Sequence, residues 1–134
     1  MKRKSVRIYS FTGTGSCLAL KLAEKLKQEG YVCTGYTVAR FAEDKRLQRL
    51  NDGWKQEIGA SWGEHALVFI GAAGIAIRAI APFVKDKFTD PPVIVLDEKG
   101  TFAIPLLSGH VGGGVTLAKV LAEYTRSEER RVGK

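Results

Sequence analysis

Val6 to Phe11 (VRIYSF) alternates apolar and polar positions and is rich in β-branched and aromatic residues, which predicts a first strand. Thr12-Gly13-Thr14-Gly15-Ser16 breaks that pattern. Leucines at 18, 20, 22 and 26, set among alanine, lysine and glutamate, then predict an amphipathic helix that stops at Gly30. Tyr31 to Thr37 (YVCTGYT) predicts a second strand, completing a β-loop-α-β unit. Ala66 to Gly71 (ALVFIG) is apolar throughout, as a strand covered on both faces should be. Gly74 to Val84 spaces Ile75, Ile77, Ile80 and Phe83 at helical intervals, with Pro82 near the end. Asp90-Pro91-Pro92 reads as a turn, Val93 to Leu96 (VIVL) as a buried strand, and Glu98-Lys99-Gly100 as a tight turn into Thr101 to Ile104, a strand that Pro105 should end. A loop from Leu106 to Gly114 precedes a last helix through Tyr124. Between these elements, Arg40 to Glu64 is charged, holds Trp54 and Trp62, and predicts no more than a short helix or two.

The order of elements defines a three-layer α/β fold: an open, mostly parallel sheet of Rossmann or flavodoxin type with one antiparallel hairpin. Ligands of such folds gather at the carboxyl ends of the strands, and each glycine-bearing loop here follows a strand. Length and composition agree, since 134 residues with 45% hydrophobic and 26% charged positions suit a single ordinary core. The longest uncharged apolar run, Ala66 to Ile77, falls short of the roughly 20 residues of a membrane helix. The basic start leads directly into a strand with no signal-peptide core, so a cytoplasmic, membrane-free protein is expected.

Charge changes the picture little. The net charge of +7 concentrates at the ends: Lys2, Arg3, Lys4 and Arg7 at one, Arg126, Arg130, Arg131 and Lys134 against Glu128 and Glu129 at the other. That leaves 13 basic and 12 acidic residues between Ile8 and Thr125, so no basic face for nucleic acid is expected. Cys17 and Cys33 are too few and too far apart for a zinc site and read as reduced core thiols.

The candidate chemistry lies in the loops. Thr12 to Ser16, between a strand and a helix, offers hydroxyls and amides to an anion in the manner of a flavodoxin phosphate loop; it reads equally as a tight turn with Ser16 as N-cap. Gly71-Ala72-Ala73-Gly74 opens a helix with small residues that let a flat ligand approach the backbone. Arg78 on that helix suits a bidentate carboxylate clamp, or an ion pair with Asp86 or Glu98. Lys85 to Asp90 mixes both signs and reads as solvated surface or as a binding loop. Asp97-Glu98, ending a buried strand, suits proton transfer or plain hairpin closure. Ser108-Gly109-His110-Val111-Gly112-Gly113-Gly114 carries the sharpest signal: its glycines are conformationally expensive, and they place a titratable imidazole among bare amides. Ser108 lacks an evident acidic partner for a triad, and His65 reads as structural.

Phe69-Ile-Gly-Ala-Ala-Gly-Ile-Ala-Ile-Arg78, Ile80-Ala-Pro82, Asp86-Lys87, Asp90-Pro91, Val93-Ile-Val-Leu-Asp-Glu98 and Leu106-Leu-Ser-Gly-His-Val-Gly-Gly113 occur in this order. The series resembles the N-terminal domain of the CbiG family, the cobalt-precorrin-5A hydrolases of anaerobic cobalamin biosynthesis, densely from Ala66 to Ala122 and more loosely from Val6 to Thr37. The resemblance implies opening of a δ-lactone by water, with release of acetaldehyde to give cobalt-precorrin-5B. Cobalt arrives within the substrate, so no cofactor and no separate metal site are expected. On that substrate His110 is expected to act as general base or acid, with Asp97 or Glu98 orienting it or shuttling protons. Amides of Gly112 and Gly113 would hold the oxyanion. Arg78 and Lys87 would clamp carboxylates of the macrocycle, with Thr12, Gly13, Thr14, Gly71, Gly74, Asp86, Ser108 and Gly109 as further binding positions. The family's loop continues Ala-Asn where this chain has Gly114-Val115. Residues 1–125 are expected to form the family domain. Residues 126–134 look like translated adapter read-through, and the family's linker and C-terminal domain are expected to be missing. Association with such a domain, or a homodimer, fits the resemblance. The alternatives are a tetrapyrrole-binding module without catalysis and, more distantly, a flavodoxin-like carrier of flavin mononucleotide.

Overall fold

A computed structural model describes residues 4–43, 46–107 and 113–132. Strand β1 (Ser5–Ser10) leads through Thr12 into helix α1 (Gly13–Gln28) and strand β2 (Val32–Thr37). A 3₁₀ turn, a two-residue strand β3 (Gln48–Arg49) and helix α2 (Trp54–Ala60) follow. Next come β4 (Ala66–Ile70), α3 (Ala73–Ile80), β5 (Val93–Leu96), β6 (Ala103–Leu107) and α4 (Gly114–Val132). The six strands form one sheet in the order β3-β2-β1-β4-β5-β6. All neighbours are parallel except β5 and β6, which form the antiparallel hairpin.

Side-chain alternation divides the core into two layers. Val6 and Ile8 of β1, Val68 and Ile70 of β4, and Ile94 and Leu96 of β5 face α1 and α4, meeting Leu22, Leu26, Leu117 and Leu121. Tyr9, Leu67, Phe69, Val93 and Val95 point the other way, onto Ile58 of α2 and Ala76, Ala79 and Ile80 of α3. The central strands are therefore apolar on both faces, as parallel strands under two helical layers must be.

The structure differs from the sequence reading in four places. Pro105 lies within β6 opposite Ile94; β6 is an edge strand with an irregularity at Val93/Ile94, so the missing N–H costs little. Strand β3 was not expected: its two residues are exposed and carry no apolar pattern. Helix α4 runs past Tyr124 to Val132, through a Glu- and Arg-rich stretch of good helix formers. Cys33 is buried, and burial pushes its thiol up to about 11, with Lys27 partly offsetting; Cys17, however, is exposed on α1 rather than in the core.

Candidate functional site

The antiparallel hairpin decides which residues can meet. Strands β1 to β5 end at one edge of the sheet, the carboxyl edge, whereas β6 returns, so Leu107 pairs with Val93 at the amino edge. At roughly 3.3 Å per residue, the five residues of β4 separate the two edges by about 15 Å.

Thr12, Gly13, Thr14, Gly71, Gly74 and Arg78 gather at the carboxyl edge. Helix α1 leaves β1 toward one face and α3 leaves β4 toward the other, so a crevice opens where the connections diverge. Thr12, rather than Ser16, caps α1: its hydroxyl accepts from the Gly15 amide at 3.0 Å. Ser16 is buried; its hydroxyl donates to the Thr12 carbonyl at 2.7 Å and lies 2.7 Å from Thr37 Oγ1, tying α1 to β2. Gly71 has a φ of +139°, a conformation that favours glycine, and its amide donates to the Leu96 carbonyl at 2.8 Å. A cleft of about 470 Å³ opens here between Phe11, Leu50, Trp54, Lys55, Ile75 and Arg78. Trp54 and Lys55 were not foreseen, because the charged stretch from Arg40 to Glu64 has no period that would point a side chain anywhere, and Phe11 was read only as the end of the first strand. Beneath them Tyr9 stacks between Tyr36 and Phe69, with centroids 5.2 and 5.1 Å away, and burial pushes its hydroxyl up to about 12 against the pull of Arg7.

Asp97 and Glu98 also stand at the carboxyl edge, after β5. The Asp97 carboxylate accepts from the Phe102 amide at 2.7 Å and its carbonyl from Gly100 at 2.9 Å, so this side chain closes the hairpin. The Asp86 carboxylate accepts from the Phe88 amide at 3.1 Å, and with Lys87 it lies in the turn that enters β5, at the amino edge. Ser108, Gly109, His110 and Gly112 lie outside the described residues. Gly113, which follows them, borders an amino-edge cavity of about 420 Å³ together with Lys4, Ser5, Glu64, His65 and Thr116. The structure therefore brings Asp86, Lys87 and Gly113 to one edge, and Asp97 and Glu98 to the other.

His65, read from the sequence as structural, lines the same amino-edge cavity. Ser5 Oγ lies 2.6 Å from its Nδ1. Burial, and then Arg7, lower its pKa from the ordinary 6.5, while Glu64 raises it. The imidazole is thus neutral at pH 7 and able to accept a proton. Because the folded pKa lies below the unfolded value, the unfolded chain binds the extra proton first; the stability that this group contributes is complete above 6.5 and is lost as pH falls through the folded pKa. Chemical denaturation at pH 7.5 and 5.5 is expected to show a larger drop for the wild type than for His65→Gln. Equal drops would remove His65 as the cause. Among the described residues no group of three or more His, Cys, Asp or Glu could hold a metal ion, and no helix is long and apolar enough to cross a membrane.

Fold and clefts together define an open α/β domain with a ligand-sized crevice at both the carboxyl and the amino edge of its sheet. The chain belongs to the cobalamin synthesis G N-terminal family, whose model matches residues 58–129. It is similar to the cobalt-precorrin-5A hydrolase of Salmonella typhimurium, 38% identical over 91% of this chain and 33% of that protein. The cobalt-precorrin-5A hydrolase of Priestia megaterium is 46% identical over 46% of this chain and 16% of its own length. A solved cobalamin biosynthesis protein G homolog from Sulfolobus solfataricus superposes with a TM-score of 0.69 at 26% identity, covering 91% of this chain and 34% of that one. The chain spans about a third of the length of the Salmonella relative.

Proposed function

We propose that the chain is the N-terminal part of a cobalt-precorrin-5A hydrolase and that lactone opening belongs to the amino edge of its sheet. The observation that carries this reading is the cavity where Gly113, the end of the Leu106–Gly113 motif, borders a neutral, serine-paired His65. Water adds to the lactone carbonyl and the ring C–O bond breaks to a carboxylate and an alcohol; the alcohol then gives up its O–H proton, its C–C bond to the macrocycle breaks with the electron pair left on the conjugated ring, and the two carbons leave as acetaldehyde. In this proposal His110 takes the proton from water or gives one to the leaving oxygen. Amides of Gly112 and Gly113 stabilise the oxyanion, Ser108 and Gly109 line the macrocycle, and Lys87 meets one of its carboxylates, with Asp86 shaping the turn that presents it. Asp97 and Glu98 stand about 15 Å away across the sheet and have no part in the proposal.

Cobalt enters with the tetrapyrrole, and no cofactor of the protein is invoked. A cytoplasmic setting is supported by the unpaired Cys17 and Cys33. No nucleic acid is proposed as a partner, since the basic excess sits at the chain ends. The length that the relatives have beyond this match, or a second copy of the chain, would complete the site. A flavin reading is disfavoured because the Thr12 hydroxyl and the Gly15 amide, which a phosphate loop would turn toward an anion, are bonded to each other.

The purified chain mixed with cobalt-precorrin-5A, assayed for acetaldehyde while macrocycle absorbance is followed, tests the reading. Acetaldehyde above a no-enzyme control places the chemistry within these residues. Binding without acetaldehyde makes the chain a macrocycle-holding module, and neither signal from folded protein overturns the proposal.

A further inference from the structure

The carboxyl-edge cleft is left over by this reading, and its construction is not that of a structural hollow. One corner is aromatic: Phe11 and Trp54 lie with centroids 5.6 Å apart and planes tilted by 48°. Lys55 rests over the Trp54 ring, with Nζ 5.6 Å from its centroid, and adds positive charge to that wall. Arg78 supplies a second cation, and no carboxylate among the described residues pairs with it. Its guanidinium lies back along α3 beside Gly74, with Nη1 3.6 Å from where a Cβ on that glycine would stand. Gly71, whose backbone favours glycine, has no atom within 4 Å of where a Cβ would sit, leaving bare backbone at the same edge. Asp52 is the one carboxylate in the lining, against two cations. The location is the divergence point of the sheet, where open α/β folds take their ligands, and about 470 Å³ suits one small ring system.

We propose that this cleft is a ligand site in its own right, taking a flat conjugated ring that bears a carboxylate. The ring packs against Phe11 and Trp54, and the carboxylate receives the two-pronged guanidinium of Arg78. The site lies on the opposite edge from the cavity assigned to lactone opening, and it stands whether or not the hydrolase reading does. The ring carboxylate has two sources: a side arm of a tetrapyrrole, or a free aromatic acid.

The test follows the Trp54 indole ¹H–¹⁵N signal, assigned with Trp54→Phe, in the full chain titrated with pyrrole-2-carboxylate and separately with uroporphyrin III. The Trp54 signal is expected to move, and Arg78→Gln to weaken binding by about tenfold or more. Arg78→Lys, which keeps the charge and loses the fork, should fall between. Arg78 is an exposed helix residue, and circular dichroism confirms that the variants fold. Displacement of pyrrole-2-carboxylate by uroporphyrin III identifies the source as a tetrapyrrole arm; a response to the single ring alone identifies a free acid. A Trp54 signal that neither compound moves, or one that moves with equal affinity in Arg78→Gln, overturns the site. The His65 ring signal reports the amino edge in the same samples, so failure of the hydrolase reading is seen separately.

Discussion

Replacing Asp90 with alanine is expected to destabilise the chain by about 4 kcal/mol and to lower Tm by more than about 10 °C. Asp90 is buried at 4% exposure, and its carboxylate organises the whole entry to β5. One oxygen accepts from the Trp62 indole at 2.9 Å, both accept from the Lys85 amide at 3.0 Å, and the other accepts from the Asp86 amide at 3.1 Å. Alanine leaves three donors unpaired, each costing about 1–3 kcal/mol, with water recovering part where the loop opens. Asp90→Asn keeps the shape and one acceptor oxygen and should lose about half as much. Thermal unfolding followed by circular dichroism reads the stability, and the Trp62 indole signal reads the local bond. A loss below about 1 kcal/mol for alanine would show that the carboxylate is not what holds this loop. The same bonds fix the turn that carries Asp86 and Lys87, so macrocycle binding at the amino edge should weaken alongside stability.

Gly59→Ala is expected to cost about 2 kcal/mol although alanine is the better helix former. A Cβ on Gly59 would clash with Cε1 of Phe83 and stand 2.5 and 2.7 Å from Cζ and Cδ1 of that ring, distances that packed atoms do not adopt. The ring cannot swing away freely, because it packs against Trp62 with centroids 5.9 Å apart. The propensity gain of about 1 kcal/mol therefore loses to an overpacking cost of up to about 3 kcal/mol. Adding Phe83→Leu removes the obstructing ring and should return most of the loss, so that the two changes together cost less than their sum. Urea denaturation of the two single variants and the double variant decides it; strict additivity would sink the explanation.

The parts of the molecule legible in the sequence are those set by neighbours along the chain. Period-two alternation in Val6 to Phe11 and the continuous apolar runs ALVFIG and VIVL marked strands β1, β4 and β5. Leucine spacing with a stop at Gly30 marked α1, and Glu98-Lys99-Gly100 marked the hairpin. Parallel strands under two layers of helix leave that signature whatever their partners are. The family motifs between Ala66 and Gly113 were legible for the same reason, as local strings. Trp54, Lys55 and β3 were not: an exposed two-residue strand and a seven-residue helix have too few positions to show a period. The partner of His65 was not legible either, because Ser5, which lies against its Nδ1, is 60 positions away.

The sequence by itself thus determined the elements, the α/β class and the family, because each rests on contacts within a few residues or on strings that survive as strings. Only the tertiary structure decided which loops share an edge. Both Asp97-Glu98 and the glycine-rich loop follow a strand, and strand order alone would put them together. The antiparallel pairing of β6 with β5, however, sends Leu107 back to the amino edge, where Gly113 borders the cavity of His65, and away from Asp97. The tight turn Glu98-Lys99-Gly100 already implied that reversal, but which loops the remaining strands carry to each edge depends on pairings such as Val6 with Ala66, which lie far apart in the chain and which no single segment encodes.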